Sequence, residues 1–336
     1  MERFTVRKVV MGALTTVSTG AFLTTFVHAP WQLVLTWGVI VGVGTGSMAL
    51  VFAATVANRW FVKRRGLVVG RLTAAAATGQ LVFLPGLTSL SGTYGWESIF
   101  IFLKEKPADL GMLPFGAPDD WLPPVKSTMP AAKLAIVTLK EASAHKDFWY
   151  LTGSFFVCGL STSGLIGTQF IPAAHDHGMM QVTAASLLAL IGVFDVIGTL
   201  FSGWLTDKFD PRKLLFFYYS LRGLSLFLLP SILFSTVHPS TLVFVIFYGL
   251  DWVATVPPTI MLCRTILGPD RGTVIYGWVF ASHQIGGSIA AIGAAVLRVK
   301  LGDYAAAFYV SGALCLITSY FVLQIAKGKD TASLNA

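Results

Sequence analysis

Charged residues are scarce in this chain. Of its 336 residues only 12% are Asp, Glu, Lys or Arg, whereas 54% are hydrophobic and the mean hydropathy is +0.71. A soluble globular domain carries about 25% charged residues, so the composition excludes that class and predicts a polytopic membrane protein. The formal charge of +8 comes from short basic clusters between apolar runs, as in membrane loops. We therefore expect a lipid bilayer, and no nucleic acid, as a partner.

Motifs of enzymes and metal sites are also missing. The three cysteines, Cys158, Cys263 and Cys315, lie in apolar segments without the spacing of a disulfide framework or a zinc site, and we interpret them as small core residues. The chain has no HExxH sequence, no Ser-His-Asp order and no phosphate-binding loop in the required context. We expect no enzymatic activity, no cofactor and no metal ion.

Long apolar runs dominate what is present. A bilayer core of ~30 Å takes about 20 helical residues, and about nine runs reach spanning length, which predicts an all-α fold. They cover residues 9–27, 31–57, 66–90, 148–171, 182–206, 213–234, 241–263, 273–297 and 305–326. A tenth run near residue 95 is cut short by Lys104. Glycines 38, 42 and 46 recur every four residues and predict a close helix contact.

An internal repeat organises these runs. The sequence ERFTVRK at 2–8 aligns with DKFDPRK at 207–213, and the three runs after each copy correspond. Two runs precede the second copy and none precedes the first, while the sixth run of the first copy is only a stub. The repeat predicts an incomplete N-terminal bundle at 1–103, a polar linker with a helix-prone end at 104–147, and a six-helix bundle at 148–336.

The loop that contains the second copy carries a specific motif. It has the form G-x-x-x-D-[RK]-x-x-x-[RK]-[RK], with a weaker counterpart at Arg3 and Arg7 in the first half. Its residues are Gly203, Asp207, Lys208, Arg212 and Lys213. An acid at a helix end accepts from basic side chains and from neighbouring helix N-termini. The motif therefore predicts a latch that gates access; the alternative is ordinary positive charge beside the membrane.

Repeat and motif together resemble the major facilitator superfamily, whose two six-helix halves flank a central substrate site. NRWFVKRRGLVVG and ATGQLVFLP are similar to its monocarboxylate and organic-anion branch. The resemblance implies an incomplete major-facilitator fold that lacks the first two helices and most of the sixth. It also implies symport of a small organic anion, such as a monocarboxylate, with a proton. The alternative is a truncated, transport-inactive remnant of such a transporter, and we expect no transport by the chain on its own.

Ionisable residues near the middle of predicted spans are the best site candidates, because a charge there needs a partner or water. Arg222 is expected to bind a substrate carboxylate; alternatively it forms a static ion pair with Asp195 or Asp251. Asp195 is a candidate proton carrier and Asp251 a candidate counter-ion. His283 is either part of the site or a helix-to-helix hydrogen bond. The resemblance implies an Arg four residues after Asp195, but the chain has Thr199 there.

Two further residues are weaker substrate-site candidates. Gln80 and Tyr248 either line a cavity or pack between helices.

Counting Lys and Arg in the loops predicts a multi-pass protein of the cell membrane with the linker and the C-terminus on the cytoplasmic side. The sequence makes no prediction of the oligomeric state.

Overall fold

The structure is a computed structural model that describes residues 6–24, 26, 30–47, 61, 64, 67–68, 70–71 and 130–326. Within those residues every regular element is a helix, so the all-α prediction is confirmed. The described residues below 64, together with 130–137, belong to one compact unit. Residues 64–71 and 138–326 belong to a second unit.

The first unit contains two helical segments. Helix α1 covers Val6–Thr24, and α2 (Pro30–Leu33) continues through a π-helix at Val34–Val41 into α3 (Gly42–Ser47). The segments pack closely at Gly44, where a methyl group would lie 2.9 Å from the carbonyl oxygen of Ala13. Among the described residues, a methyl group at Gly38 would meet only Val34 of its own segment, so they show no close helix contact at Gly38. A π-helix has more residues per turn than an α-helix, so a four-residue spacing does not keep one face.

Apart from residues 64–71, the second unit is a bundle of helices within residues 130–326, which the structure describes without a gap. The elements are α4 (Ala131–Ser143, which begins in the first unit), α5 (Lys146–Gly159), a π-helix (Leu160–Ile166), α6 (Gly167–Asp176), α7 (Gln181–Thr206), α8 (Pro211–Ile232), α9 (Pro239–Asp251), α10 (Val256–Leu267), α11 (Pro269–Leu301) and α12 (Ala305–Val322). Helix α4 confirms the helix-prone end of the predicted linker.

Six helical stretches in the described residues are long and apolar enough to cross a membrane. They are Lys146–Asp176, Gln181–Thr206, Pro211–Ile232, Pro239–Leu267, Arg271–Leu301 and Ala305–Val322. They correspond to the six runs predicted for the second half. In the first half, α1 corresponds to the run at 9–27, and the run at 31–57 is helical over 30–47. The rest of that run, the run at 66–90 beyond residue 71, and the stub lie outside the described residues, so the total of nine stays a prediction.

Proline and glycine set the ends of several helices. Asp210 caps α8 by accepting from the Arg212 N–H at 2.9 Å, and Pro211 occupies the first turn, where a missing N–H costs nothing. Gly268 and Gly302 flank α11 with φ of 85° and 89°, a region that side chains with a Cβ rarely adopt. These residues fix where α10, α11 and α12 change direction.

Glycine also brings three pairs of helices into backbone contact. A methyl group at Gly159 on α5 would overlap the carbonyl oxygen of His283 on α11, and one at Gly198 on α7 would overlap that of Leu250 on α9. On α8, a methyl group at Gly223 would lie 2.9 Å from the Gly312 oxygen of α12. Small residues let helices approach in this way inside membranes. The three pairs set the relative heights of the side chains that point into the bundle.

Candidate functional site

The candidate site is built around a break in one membrane-spanning stretch, between α9 and α10. Pro257 and Pro258 start α10, and a proline has no N–H to donate to the carbonyl four residues earlier. The carbonyls of Val253 and Ala254 therefore need other donors. Val253 accepts from the Val256 N–H at 2.9 Å, and Ala254 accepts from the Ser202 hydroxyl at 2.5 Å. A side chain of α7 thus replaces a hydrogen bond that the prolines removed.

Arg222 of α8 holds the other side of this break. Its Nε donates to Asp251 Oδ2 at 2.6 Å, and its Nη2 donates to the carbonyl oxygens of Asp251 at 2.6 Å and Trp252 at 3.2 Å. The remaining Nη1 points to Cys158 Sγ at 3.2 Å. Only 1% of Arg222 is exposed. The guanidinium is therefore fully engaged by protein groups in this conformation, with Asp251 as its counter-ion.

Asp195 of α7 reaches the same break from the opposite side. Its Oδ1 accepts from the Val253 N–H at 3.0 Å and from the Thr199 hydroxyl at 2.9 Å. Thr199 thus occupies the position where the family resemblance implied an arginine, and it bonds to the carboxylate. The structure brings Arg222, Asp195 and Asp251 together at the backbone of residues 251–253, which agrees with their predicted common depth.

Arg222, Asp195 and Asp251 together form what we call the charged centre. Cys158 connects the charged centre to His283. The Cys158 thiol contacts the Thr255 hydroxyl at 3.3 Å as well as Arg222, and it interacts with the His283 ring. The His283 ring stacks on the Phe280 ring with 5.6 Å between the ring centroids, and His283 Nε2 lies 3.4 Å from Ser163 Oγ. The sequence analysis treated Cys158 only as a core residue. In the sequence Cys158 lies within an apolar run, and nothing in that run indicates its contacts with Arg222 and Thr255.

The hydroxyl group of Tyr248 bonds to a backbone carbonyl and not to the charged side chains. Tyr248 is 1% exposed and donates its hydroxyl to the Ser161 carbonyl at 2.8 Å, which agrees with a packing role. Gln80 and Arg3 lie outside the described residues. Arg7 is described only as part of the backbone of α1.

The predicted gating motif lies between α7 and α8. Asp207 Oδ2 accepts from the Leu67 N–H at 2.9 Å. Close by, a methyl group at Gly70 would lie 3.1 Å from Gly203 Cα. The acid of the motif thus accepts from the backbone N–H of a residue far away in the sequence.

The basic residues of the motif have other partners. Lys208 lies 4.2 Å above the Trp204 ring, and Lys213 is exposed. Arg212 binds both oxygens of Asp210 and the Ala326 carbonyl at 3.1 Å. Burial disfavours the charge of Asp210, but the bonds from Arg212 outweigh it and hold the pKa of that carboxyl below its usual range. Asp210 is therefore a second acid of this loop, which the motif did not single out.

Comparison with known proteins identifies relatives over nearly the whole chain. A family model described as Major Facilitator Superfamily matches residues 1–291 and 151–333. Human monocarboxylate transporter 11 is 26% identical over 96% of this chain and 69% of its own length, and rat monocarboxylate transporter 13 is 28% identical over 95% and 73%. An uncharacterized MFS-type transporter of Bacillus subtilis, YcxA, is 26% identical over 86% and 71%.

Solved structures agree in fold. The crystal structure of the E. coli fucose:proton symporter FucP superposes with a TM-score of 0.67 at 15% identity, over 97% of this chain and 85% of that one. A second structure of FucP, in the outward conformation, gives 0.62 at 16% identity, over 97% and 84%. At these identities the likeness concerns the fold alone.

Proposed function

The chain belongs to the Major Facilitator Superfamily, and on that premise we propose that it is a multi-pass secondary transporter that carries a small organic anion together with a proton. The observation that carries the proposal is a buried guanidinium, Arg222, paired with an acid at a broken membrane helix. Discontinuous helices form substrate and ion sites in secondary transporters. Relatives named monocarboxylate transporters support a monocarboxylate as the substrate class.

The guanidinium suits a carboxylate. Its planar fork donates two parallel hydrogen bonds to such a group, and it keeps its charge at any physiological pH. Because Asp251 and two backbone carbonyls occupy the fork in this conformation, a substrate carboxylate must displace the Asp251 side chain to reach it. Substrate binding is therefore an exchange of one carboxylate for another at Arg222.

That exchange supplies a reason for proton coupling. Arg222 contributes one positive charge, and Asp195 and Asp251 contribute one negative charge each when ionised. An entering anion adds another negative charge to a site removed from water, where uncompensated charge is costly. A proton that binds with the anion cancels the added charge, which predicts one proton per anion.

Asp251 is the better supported proton acceptor of the two acids. It loses its partner when substrate takes Arg222, and its Oδ1 is buried without a hydrogen-bond partner in the described residues. Asp195 instead holds the Val253 N–H and Thr199. The sequence favoured Asp195 as carrier, so both assignments are tested together below. His283 completes the site on the α11 side.

We further propose that Asp207 and the Leu67 N–H form the latch of a gated state, with Gly203 allowing the close approach. The alternative is a permanent contact that only anchors this end of the bundle. Asp207→Asn keeps the size of the side chain and removes its charge, so a latch predicts a changed ratio of inward to outward transport. A permanent anchor predicts lower stability with the ratio unchanged. The proposal also places the protein in the cell membrane with its linker on the cytoplasmic side. It keeps the predicted boundaries of the N-terminal bundle at 1–103, the linker at 104–147 and the C-terminal bundle at 148–336.

The test is uptake of labelled short monocarboxylates into proteoliposomes that contain the purified chain. The transporter proposal predicts saturable uptake that an inward proton gradient accelerates and that a protonophore removes, whereas the inactive alternative, in which the chain on its own does not transport, predicts none. Saturable uptake that ignores the proton gradient would contradict the coupling. Absence of saturable uptake would contradict the proposal and agree with the inactive alternative.

Variants assign the residues. Arg222→Lys should lower uptake at least about tenfold, since losing one charge-assisted hydrogen bond costs about 1.5–3 kcal/mol. Arg298→Lys, at an exposed ion pair with Asp176, is the matched control and should transport like the wild type. Asp251→Asn should abolish the proton dependence while substrate exchange continues; if Asp195→Asn does so instead, Asp195 is the carrier.

A further inference from the structure

Most hydroxyl groups inside the bundle have a protein partner. Examples are Ser154, Ser161, Ser202, Tyr219, Tyr248 and Thr259, each of which donates to a backbone carbonyl. In the part of the chain that the structure describes, six buried side-chain atoms have none. They are Thr138 Oγ1, Asp147 Oδ1, Thr152 Oγ1, Asp251 Oδ1, Tyr276 OH and His283 Nδ1. The exceptions are thus few, and their positions are informative.

Four of these six atoms belong to α5 and α11. The stretch Lys146–Asp176, which α5 begins, and α11 run in the same direction. Glu141, just before α5, pairs with Arg271 in the first turn of α11, and Asp176, at the end of the stretch, pairs with Arg298 near the end of α11. We call the contact between the two helices the α5–α11 seam. The unpartnered groups of Thr152, Tyr276 and His283 lie along it.

The groups follow one another in depth. Asp147 stands in the first turn of α5, and Thr152 lies six residues after Lys146, or ~9 Å at 1.5 Å per residue. Tyr276 and His283 lie seven and fourteen residues after Pro269, at ~10 and ~21 Å. The ring of Phe155 on α5 packs against both aromatic rings, with its centroid 5.9 Å from that of Tyr276 and 5.0 Å from that of His283. The unpartnered groups of the α5–α11 seam therefore lead from the end of the bundle where α5 begins to the level of the charged centre.

An unpartnered polar group in a buried seam is costly. Each costs about 1–3 kcal/mol when nothing replaces its water, and Tyr276 is 0% exposed. Internal water is the usual partner of such groups in proteins. Hydroxyl, phenol and imidazole groups are each able to donate and to accept a hydrogen bond, so water is a suitable partner for each of them.

We propose that the α5–α11 seam holds a file of internal water molecules, bound by Thr152, Tyr276 and His283, through which protons travel between the charged centre and the end of the bundle where α5 begins. The proton half of this proposal rests on the proposed function. At the inner end, His283 takes a proton on one ring nitrogen and releases one from the other. The groups that face it are Cys158, with Arg222 behind the thiol, and Ser163.

The water file is tested without transport. Hydroxyl-radical footprinting of the purified chain labels tyrosines that contact water. Tyr276 and Tyr219 are both 0% exposed, but the Tyr219 hydroxyl donates to the Ser154 carbonyl at 2.7 Å. We expect Tyr276 to be labelled severalfold faster than Tyr219. Equal labelling of the two would overturn the water file.

The proton route is tested by comparing two kinds of flux in proteoliposomes. Net uptake needs a proton to be released, whereas exchange of internal for external substrate does not. Tyr276→Phe and Thr152→Val should slow net uptake severalfold and leave exchange unchanged, while Tyr219→Phe should leave the ratio of the two fluxes at its wild-type value. A wild-type ratio in Tyr276→Phe and Thr152→Val would overturn the route.

Failure of the underlying function looks different. If the wild-type chain shows no proton-dependent uptake, the proposed function falls and the proton route falls with it, whereas the footprinting result still decides whether the seam holds water. If wild-type uptake is proton-dependent and only the variants behave as wild type, the proposed function stands and the route is wrong.

Discussion

The break between α9 and α10 and the α5–α11 seam satisfy their polar groups in different ways. At the break, side chains of α7 and α8 bond to backbone groups of residues 251–254, among them the Ala254 carbonyl that Pro258 left without its helical donor. Along the seam, Thr152, Tyr276 and His283 keep buried atoms without a partner in the described residues. Irregular backbone inside a membrane persists only where protein or water satisfies it. The break is therefore closed by fixed partners, and the seam is where exchangeable partners fit.

The largest effect on stability should come from replacing Arg222. Arg222→Met leaves the Asp251 carboxylate buried without a counter-ion, which costs about 3–5 kcal/mol. We expect a large fall in the temperature at which the detergent-solubilised protein loses its monodisperse elution peak. The double variant Arg222→Met/Asp251→Leu should recover part of the loss, because no unpaired charge remains. If the double variant is as unstable as the single one, the ion pair is not what closes the break.

Backbone contact should matter equally in both regions. Gly198→Ala places a methyl group against the Leu250 carbonyl beside the break, and Gly159→Ala places one against the His283 carbonyl in the seam. Overpacking of this kind costs about 1–3 kcal/mol, measured by the same elution assay. Gly192→Ala, with nothing within 4 Å of the added methyl group, is the control. A clear difference between Gly159→Ala and Gly198→Ala would show that the regions differ in packing as well as in polarity.

A pair of serine variants isolates the polar difference. Ser202→Ala leaves the buried Ala254 carbonyl without its donor and should cost about 1–2 kcal/mol. Ser163→Ala removes only a contact of 3.4 Å to His283 and should change the stability by less than about 0.5 kcal/mol. Equal losses in thermal stability would mean that the seam is as tightly paired as the break.

The smallest effect should come from the loop between α7 and α8, outside both regions. The lowered pKa of Asp210 means that its pairing with Arg212 stabilises the fold above the pKa of the unfolded chain, about 3.9. That contribution is lost as the pH falls through the still lower pKa of the folded state. The wild type should therefore be more stable than Asp210→Asn at pH 7, by about 1 kcal/mol or less, and the difference should shrink toward pH 3. A constant difference would contradict the assignment.

Much of the second half was predictable from local sequence. Each apolar run at 148–171, 182–206, 213–234, 241–263, 273–297 and 305–326 corresponds to a helical stretch of the bundle, because an apolar segment in a bilayer must bond its backbone internally. The common depth of Arg222, Asp195 and Asp251 was also predictable, since the rise per residue fixes it. The three do meet at one stretch of backbone.

Other features were not predictable in this way. The spacing of Gly38, Gly42 and Gly46 gave no indication of the close contact at Gly44, because the π-helix at Val34–Val41 changes which residues share a face. Cys158 and Ser202 look like ordinary core residues in the sequence, yet one contacts Arg222 and the other bonds the Ala254 carbonyl. Nothing local distinguishes them, because their partners come from other helices.

The sequence by itself determined the class of the protein, the spans of the second bundle, and the presence and spacing of a few costly charges along their helices, since all of these depend on composition and on distance along one helix. Only the tertiary structure decided that Asp251 is the partner of Arg222, that Asp195 holds the break, and that Thr152, Tyr276 and His283 share a seam. Those choices depend on the relative height and rotation of separate helices. The glycine contacts of α5 with α11, α7 with α9 and α8 with α12 set both, and no pattern within a single helix encodes them.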